Sequence, residues 1–153
     1  MIRCYHKHNP THHQEDIYMH LKGFPESHQD LLEDSKRAFA FLGTIMADGS
    51  PQVTPMWFNT DGEHILINTA RGRIKDRNMR RQPQVALAIV DPQDPYRYVQ
   101  VRGTIIDYTE EGADEHINAL CYKYTGREVY PWKAPGEVRV RYTIQPKAFS
   151  PKD

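Results

Sequence analysis

The sequence predicts a mainly β domain, a small antiparallel barrel with two or three helices on its flank. Three observations carry this. Short runs of strand-forming residues follow one another from Lys36 onward. Two Asp-Gly pairs, Asp48-Gly49 and Asp61-Gly62, sit where hairpins would turn. Only brief segments between the strand-like runs have helical periodicity.

The elements follow in order. Ser27–Asp34, SHQDLLED, reads as a short helix with Ser27 as N-cap and Asp30 in its first turn. Lys36–Ala47 is an apolar strand ending at Asp48-Gly49. Gln52–Asn59, QVTPMWFN, is a second strand, and Pro55 within it requires an edge or a bulge because proline donates no ladder bond. Asp61-Gly62 turns the chain into a third strand, Glu63–Thr69, so the three form a meander. Arg73–Gln82 lacks proline and glycine and is closed by Pro83, which predicts a helix whose inward residues are Ile74 and Met79. Gln84–Val90 is a buried strand, and Arg97–Tyr108 a long one with Gly103 at a bulge or bend. Glu111–Tyr124 reads as a helix stopped by Gly126. A looser segment holding Pro131, Trp132, Pro135 and Gly136 leads to a last strand, Val138–Ile144.

With 153 residues, 39% hydrophobic and 26% charged, the chain fits one domain with a core of its own. No apolar run is long enough to span a membrane, and the N-terminus lacks the apolar region of a signal peptide. Cys4 and Cys121 have no framework spacing and read as free thiols, which points to a cytoplasmic protein. Five of the eight histidines (His6, His8, His12, His13 and His20) fall in an N-terminal arm, residues 1–26. Their spacings match no standard metal site, so no metal is expected, and the arm reads as packing across the surface or onto a second subunit.

Charge singles out one stretch. Between residues 71 and 81, six cations (Arg71, Arg73, Lys75, Arg77, Arg80, Arg81) stand against Asp76, a local +5 in a chain whose formal net charge is +0. A cationic cluster on an otherwise mildly acidic protein points to a defined anion, a phosphate above all, and against bulk nucleic-acid or membrane adhesion. The alternative is a solvated surface face.

Four segments in order, DGSPQVTPMWF, DGEHILINT, RGRIKDRNMRRQPQVALAIVDP and YRYVQVRG, resemble the pyridoxamine 5′-phosphate oxidase-like split-barrel family, and within it the branch that uses the deazaflavin coenzyme F-420. The resemblance covers residues 27–150, leaving the arm and a tail at 151–153. It implies a six-stranded antiparallel split β-barrel (the FMN-binding split barrel) that forms a homodimer, with cofactor grooves between the subunits. By that likeness, the ring would lie along Pro55, Met56 and Trp57. The cofactor site would continue through Asn68 and Thr69 at the end of the third strand. The phosphate would meet the basic segment that follows, with Arg73, Lys75, Arg77 and Asn78, and Tyr98 would come from the other subunit. Met56 and Met79 stand where aliphatic residues are usual. The activity implied is hydride transfer between F-420, or alternatively FMN, and an unsaturated small molecule. No catalytic triad, G-x-S-x-G elbow or H-E-x-x-H motif is present, so the chemistry would belong to the cofactor, with no protein catalytic group assigned. Two other readings stay open. One is a barrel that holds flavin or haem without turnover. The other is a nucleic-acid barrel, disfavoured because residues 71–82 contain no aromatic for base stacking.

Overall fold

The computed structural model describes residues 20–153. The reading of residues 1–19, with Cys4 and most of the histidine-rich arm, lies outside them. Seven strands form one antiparallel sheet: β1 (Phe39–Ile45), β2 (Pro51–Met56), β3 (Phe58–Thr60), β4 (Ile65–Ala70), β5 (Gln84–Asp91), β6 (Asp94–Thr109) and β7 (Arg139–Lys152). Two helices, α1 (Ile74–Arg81) and α2 (Ala113–Thr125), pack beside it.

The sheet order is β2-β1-β5-β6-β7-β4-β3. β2 and β3 therefore sit at opposite ends of the sheet, yet a single residue, Trp57, separates them in the chain. The sheet must curl to let one run serve both edges, and that curl makes the split barrel. The predicted strand Gln52–Asn59 is thus divided: its first half pairs with β1 and its second with β4. This division accounts for seven strands where six were expected. Pro55 lies opposite Phe41 on the edge strand β2, where its missing donor leaves no ladder partner wanting.

Alternation along the strands fills the interior. Leu42, Phe58, Ile65, Ile67, Leu87 and Ile89, with Val99, Val101, Val140, Tyr142 and Ile144, are all at most 2% exposed. Gly103 is buried at a register shift between β6 and β7, as expected of a bulge. A Cβ there would stand 2.7 Å from Ile144 Cγ2 and 2.9 Å from the Gln145 carbonyl oxygen, so the close crossing of the two strands needs glycine.

Several expectations are corrected. The short helix expected at Ser27–Asp34 is a 3-10 helix, Glu26–Leu32, followed by a second 3-10 turn at Asp34–Lys36. Ser27 does not cap it; its Oγ instead meets His28 Nδ1 at 2.8 Å. Tertiary ties decide this segment: Arg97 on β6 grips Asp30 at 2.7 and 3.0 Å and Asp91 at 2.9 Å. β7 runs on past Ile144 through Pro146 and Pro151. Its pairing with β4 ends at Ile144, so those prolines face an edge already free of a ladder. In α1, Met79 is buried as predicted, but Ile74 is 43% exposed and the inward partners are Asp76 and Asn78.

Candidate functional site

The basic stretch does not remain one cluster. Arg71 pairs with Glu110 at 3.1 Å, Arg80 with Asp76 at 2.9 Å, and Arg81 donates to the Ile45 carbonyl and to Asn78 Oδ1. Asp76, 2% exposed, also accepts from the Gly72 amide at 2.8 Å and from the Tyr142 hydroxyl at 2.5 Å. Burial pushes its carboxyl up, but the Tyr142, Gly72 and Arg80 bonds outweigh that and hold it below the ordinary carboxylate value. Those cations serve the fold. Arg73 and Lys75 turn the other way, into a cleft.

The cleft is open and holds about 400 Å³. One wall is the break between β2 and β3, with Pro55, Met56 and Trp57. Asn68 and Thr69 at the end of β4 form its floor, and Arg73 and Lys75 at the start of α1 its rim. Ile117 and Leu120 of α2, and Tyr130 and Trp132 from the segment after it, complete an apolar side. Trp57 stacks on Tyr124 with centroids 5.2 Å apart and planes 5° from parallel, and it meets Tyr130 and Trp132 edge-on at 6.3 and 6.5 Å.

The cationic side has a third member that sequence reasoning missed. Arg139, at the start of β7, is 4% exposed and lines the cleft. Its Nε donates to Asn68 Oδ1 at 2.8 Å and its Nη1 to Glu137 at 2.6 Å, while the guanidinium lies 5.2 Å from the Tyr130 ring. Arg73 reaches the same Glu137 oxygen at 3.4 Å. Lys75 Nζ contacts Met56 Sδ at 3.3 Å; burial lowers its pKa, with Arg73 and Arg139 adding to the effect.

Beneath the floor, Asn68 Nδ2 donates to the Ala113 carbonyl at 2.9 Å and to His116 Nδ1 at 3.1 Å, while His116 Nε2 meets Asn59 Oδ1 at 2.9 Å. Burial, then Arg141 and Arg139, push the His116 pKa down to about 4. The ring is therefore neutral at pH 7, with its proton on Nε2 by the logic of the network. Its role is to orient Asn68, which in turn orients Arg139. Thr69 lines the cleft at the end of β4, and its Oγ1 is fully buried with no hydrogen-bond partner among the described residues. Three cations beside the uncapped start of α1 suit a polar or anionic ligand group.

Three of the residues expected at the cofactor lie elsewhere in the single chain. Asn78 is buried against β1, where its Nδ2 donates to Thr44 Oγ1 at 3.1 Å and toward Met46 Sδ. Arg77 is exposed on the outer face of α1. Tyr98 lies on the outer face of the sheet, in a groove with Phe41 and Val53. Arg139, His116 and Asn59 gave no motif: Arg139 sits on the polar alternation of β7 and is buried only because α2 and the following segment cover it.

A split barrel with a half-aromatic, half-cationic cleft at its broken strand defines a class of small-ligand-binding barrels. The model of the pyridoxamine 5′-phosphate oxidase family matches residues 24–146, and the chain belongs to that family. An F-420 reductase is similar at 34% identity, over 82% of this chain and 98% of that one, with a TM-score of 0.72. A conserved hypothetical protein of Mycobacterium tuberculosis is 26% identical over 84% of each chain, TM-score 0.64. HutZ, the haem storage protein of Vibrio cholerae, shares the fold at 16% identity over 78% of this chain and 89% of that one, TM-score 0.57.

Proposed function

We propose that the protein is an oxidoreductase that binds coenzyme F-420, with FMN as the alternative, and passes a hydride between it and an unsaturated small molecule. One observation carries this reading: a single cleft of cofactor size unites the P-x-W wall with Arg73, Lys75 and Arg139. Likeness to the F-420 reductase supports the deazaflavin over FMN. Pro55, Met56 and Trp57 would lie along the ring, and the phosphate would meet Thr69, Arg73, Lys75 and the first-turn amides of α1. The bound ring would supply the hydride chemistry; the chain's own residues bind and orient it and exclude water.

The protein acts in this reading as a homodimer. The outer face of β1, β2, β5 and β6 exposes Phe41 at 40%, Val53 at 66% and Tyr96 at 79%, unusual for a face meant for water. Phe41 lies opposite Pro55, so this face runs into the cleft wall, and a second copy seated there would bring its Tyr98 to the site. A storage role for haem is the weaker reading. His116 has both ring nitrogens engaged, and Met56 Sδ is contacted by Lys75, so neither is poised as an iron ligand. Fluorescence titration with F-420 and, separately, FMN tests the assignment, and binding of neither would sink it.

A further inference from the structure

The cleft wall hangs on a break in a strand, and α2 holds that break from behind. Phe58, the residue after Trp57, has both backbone groups engaged by consecutive side chains of α2. Lys123 Nζ donates to the Phe58 carbonyl at 2.9 Å, and the Phe58 amide donates to the Tyr124 hydroxyl at 3.4 Å. That hydroxyl in turn donates to the carbonyl of Ala38, just before β1, and the Tyr124 ring carries the stacked Trp57. One helical turn thus ties together β1, the break and the aromatic wall.

Lys123 is an odd residue for the task. Lysines usually bury their stems and keep the ammonium in water, yet this one is 8% exposed, with Nζ 4.5 Å from the Phe58 ring centroid. The groups facing it are few among the described residues. The 3-10 turn offers Asp34 at 3.8 Å, itself 75% exposed; α2 offers the Tyr124 hydroxyl and ring; β3 offers the Phe58 carbonyl and ring. A glutamine could make one neutral hydrogen bond here without burying a charge. The lysine adds a bond whose strength depends on a proton, because a charged donor binds a carbonyl about twice as strongly as a neutral one.

We infer that Lys123 is a positioning residue whose proton sets the pose of Trp57, and through it the grip of the cleft on its ligand. Only the second half rests on the function proposed above. Burial of the amine, against a weaker opposing pull from Asp34, brings its pKa down to about 8. The ammonium therefore holds the break below that pH, and the wall relaxes above it.

The test begins on the protein without ligand, in a Trp132→Phe background that leaves Trp57 as the one tryptophan. Its emission should change with a single midpoint at about pH 8. Lys123→Met should lose that midpoint and emit at every pH as the parent does at high pH. Lys123→Gln, which keeps a donor in the same place, should also show no midpoint and guards against a Met variant that does not fold. F-420 affinity in the parent should fall about three- to tenfold across the midpoint and stay flat in both variants. Emission without a midpoint in the parent, a midpoint that persists in a folded variant, or an affinity indifferent to it would overturn the inference. Failure of F-420 and FMN to bind at any pH would instead strike the proposed function, which the ligand-free emission does not depend on.

Discussion

At the scale of residues, six neighbouring cations turned out to have different tasks, and burial sorted them. Lys75 is desolvated and crowded by Arg73 and Arg139, so an incoming anion would relieve its repulsion. Lys75→Ala should weaken coenzyme binding by about 1–3 kcal/mol, the range for a charge-assisted contact, as read by calorimetry; unchanged affinity would remove Lys75 from the site. Asp76 does the opposite work, anchoring Arg80, Gly72 and Tyr142 inside the fold. Asp76→Ala should cost about 2–4 kcal/mol of stability at pH 7, since it strands a guanidinium and a buried hydroxyl. The carboxyl's native pKa is depressed, so its contribution is present above the unfolded value and is lost as pH falls through the native one. Denaturation of wild type and variant should therefore converge in acid; a gap that persists once the carboxyl is protonated would assign the loss to packing instead.

At the scale of elements, much of the strand pattern was legible, because alternation and the Asp-Gly turns are local signals. The division of Gln52–Asn59 at Trp57 was not. It follows from closure of the sheet, which asks one segment to pair with β1 and then with β4. The first short helix was legible but not its 3-10 form or its lack of a Ser27 cap, since Arg97 and its two carboxylate partners fix those turns from across the chain. Gly103 was readable as a bulge, and its reason is now steric. Gly103→Ala should destabilise the protein by about 1–3 kcal/mol, measured as a lowered unfolding midpoint, because the added carbon meets Ile144 and a backbone carbonyl. An unshifted midpoint would mean that β6 and β7 part without cost. In the candidate site, Pro55, Met56, Trp57 and the end of β4 could be named from motif alone. Arg139 and His116 could not, because their importance comes from tertiary cover over a strand and a helix that look ordinary in sequence.

At the scale of the molecule, the barrel leaves two faces that ask for company: a cleft lined by Arg73, Lys75 and Arg139 and a sheet face with exposed aromatics. The homodimer proposed here covers the sheet face, and the coenzyme proposed here fills the cleft. Phe41→Glu should shift the protein to monomer by light scattering and weaken coenzyme binding, although Phe41 lies outside the cleft. A monomeric wild type that still binds tightly would contradict that link. The central claim is that the cleft is a deazaflavin site. The measurement that meets it most directly is a paired titration of the purified protein with F-420 and with FMN, followed by quenching of ring fluorescence. Saturable binding with preference for F-420, reduced by Lys75→Ala, is the expected result. Binding of neither coenzyme would contradict it and leave Arg73, Lys75 and Arg139 without the anion their arrangement suits.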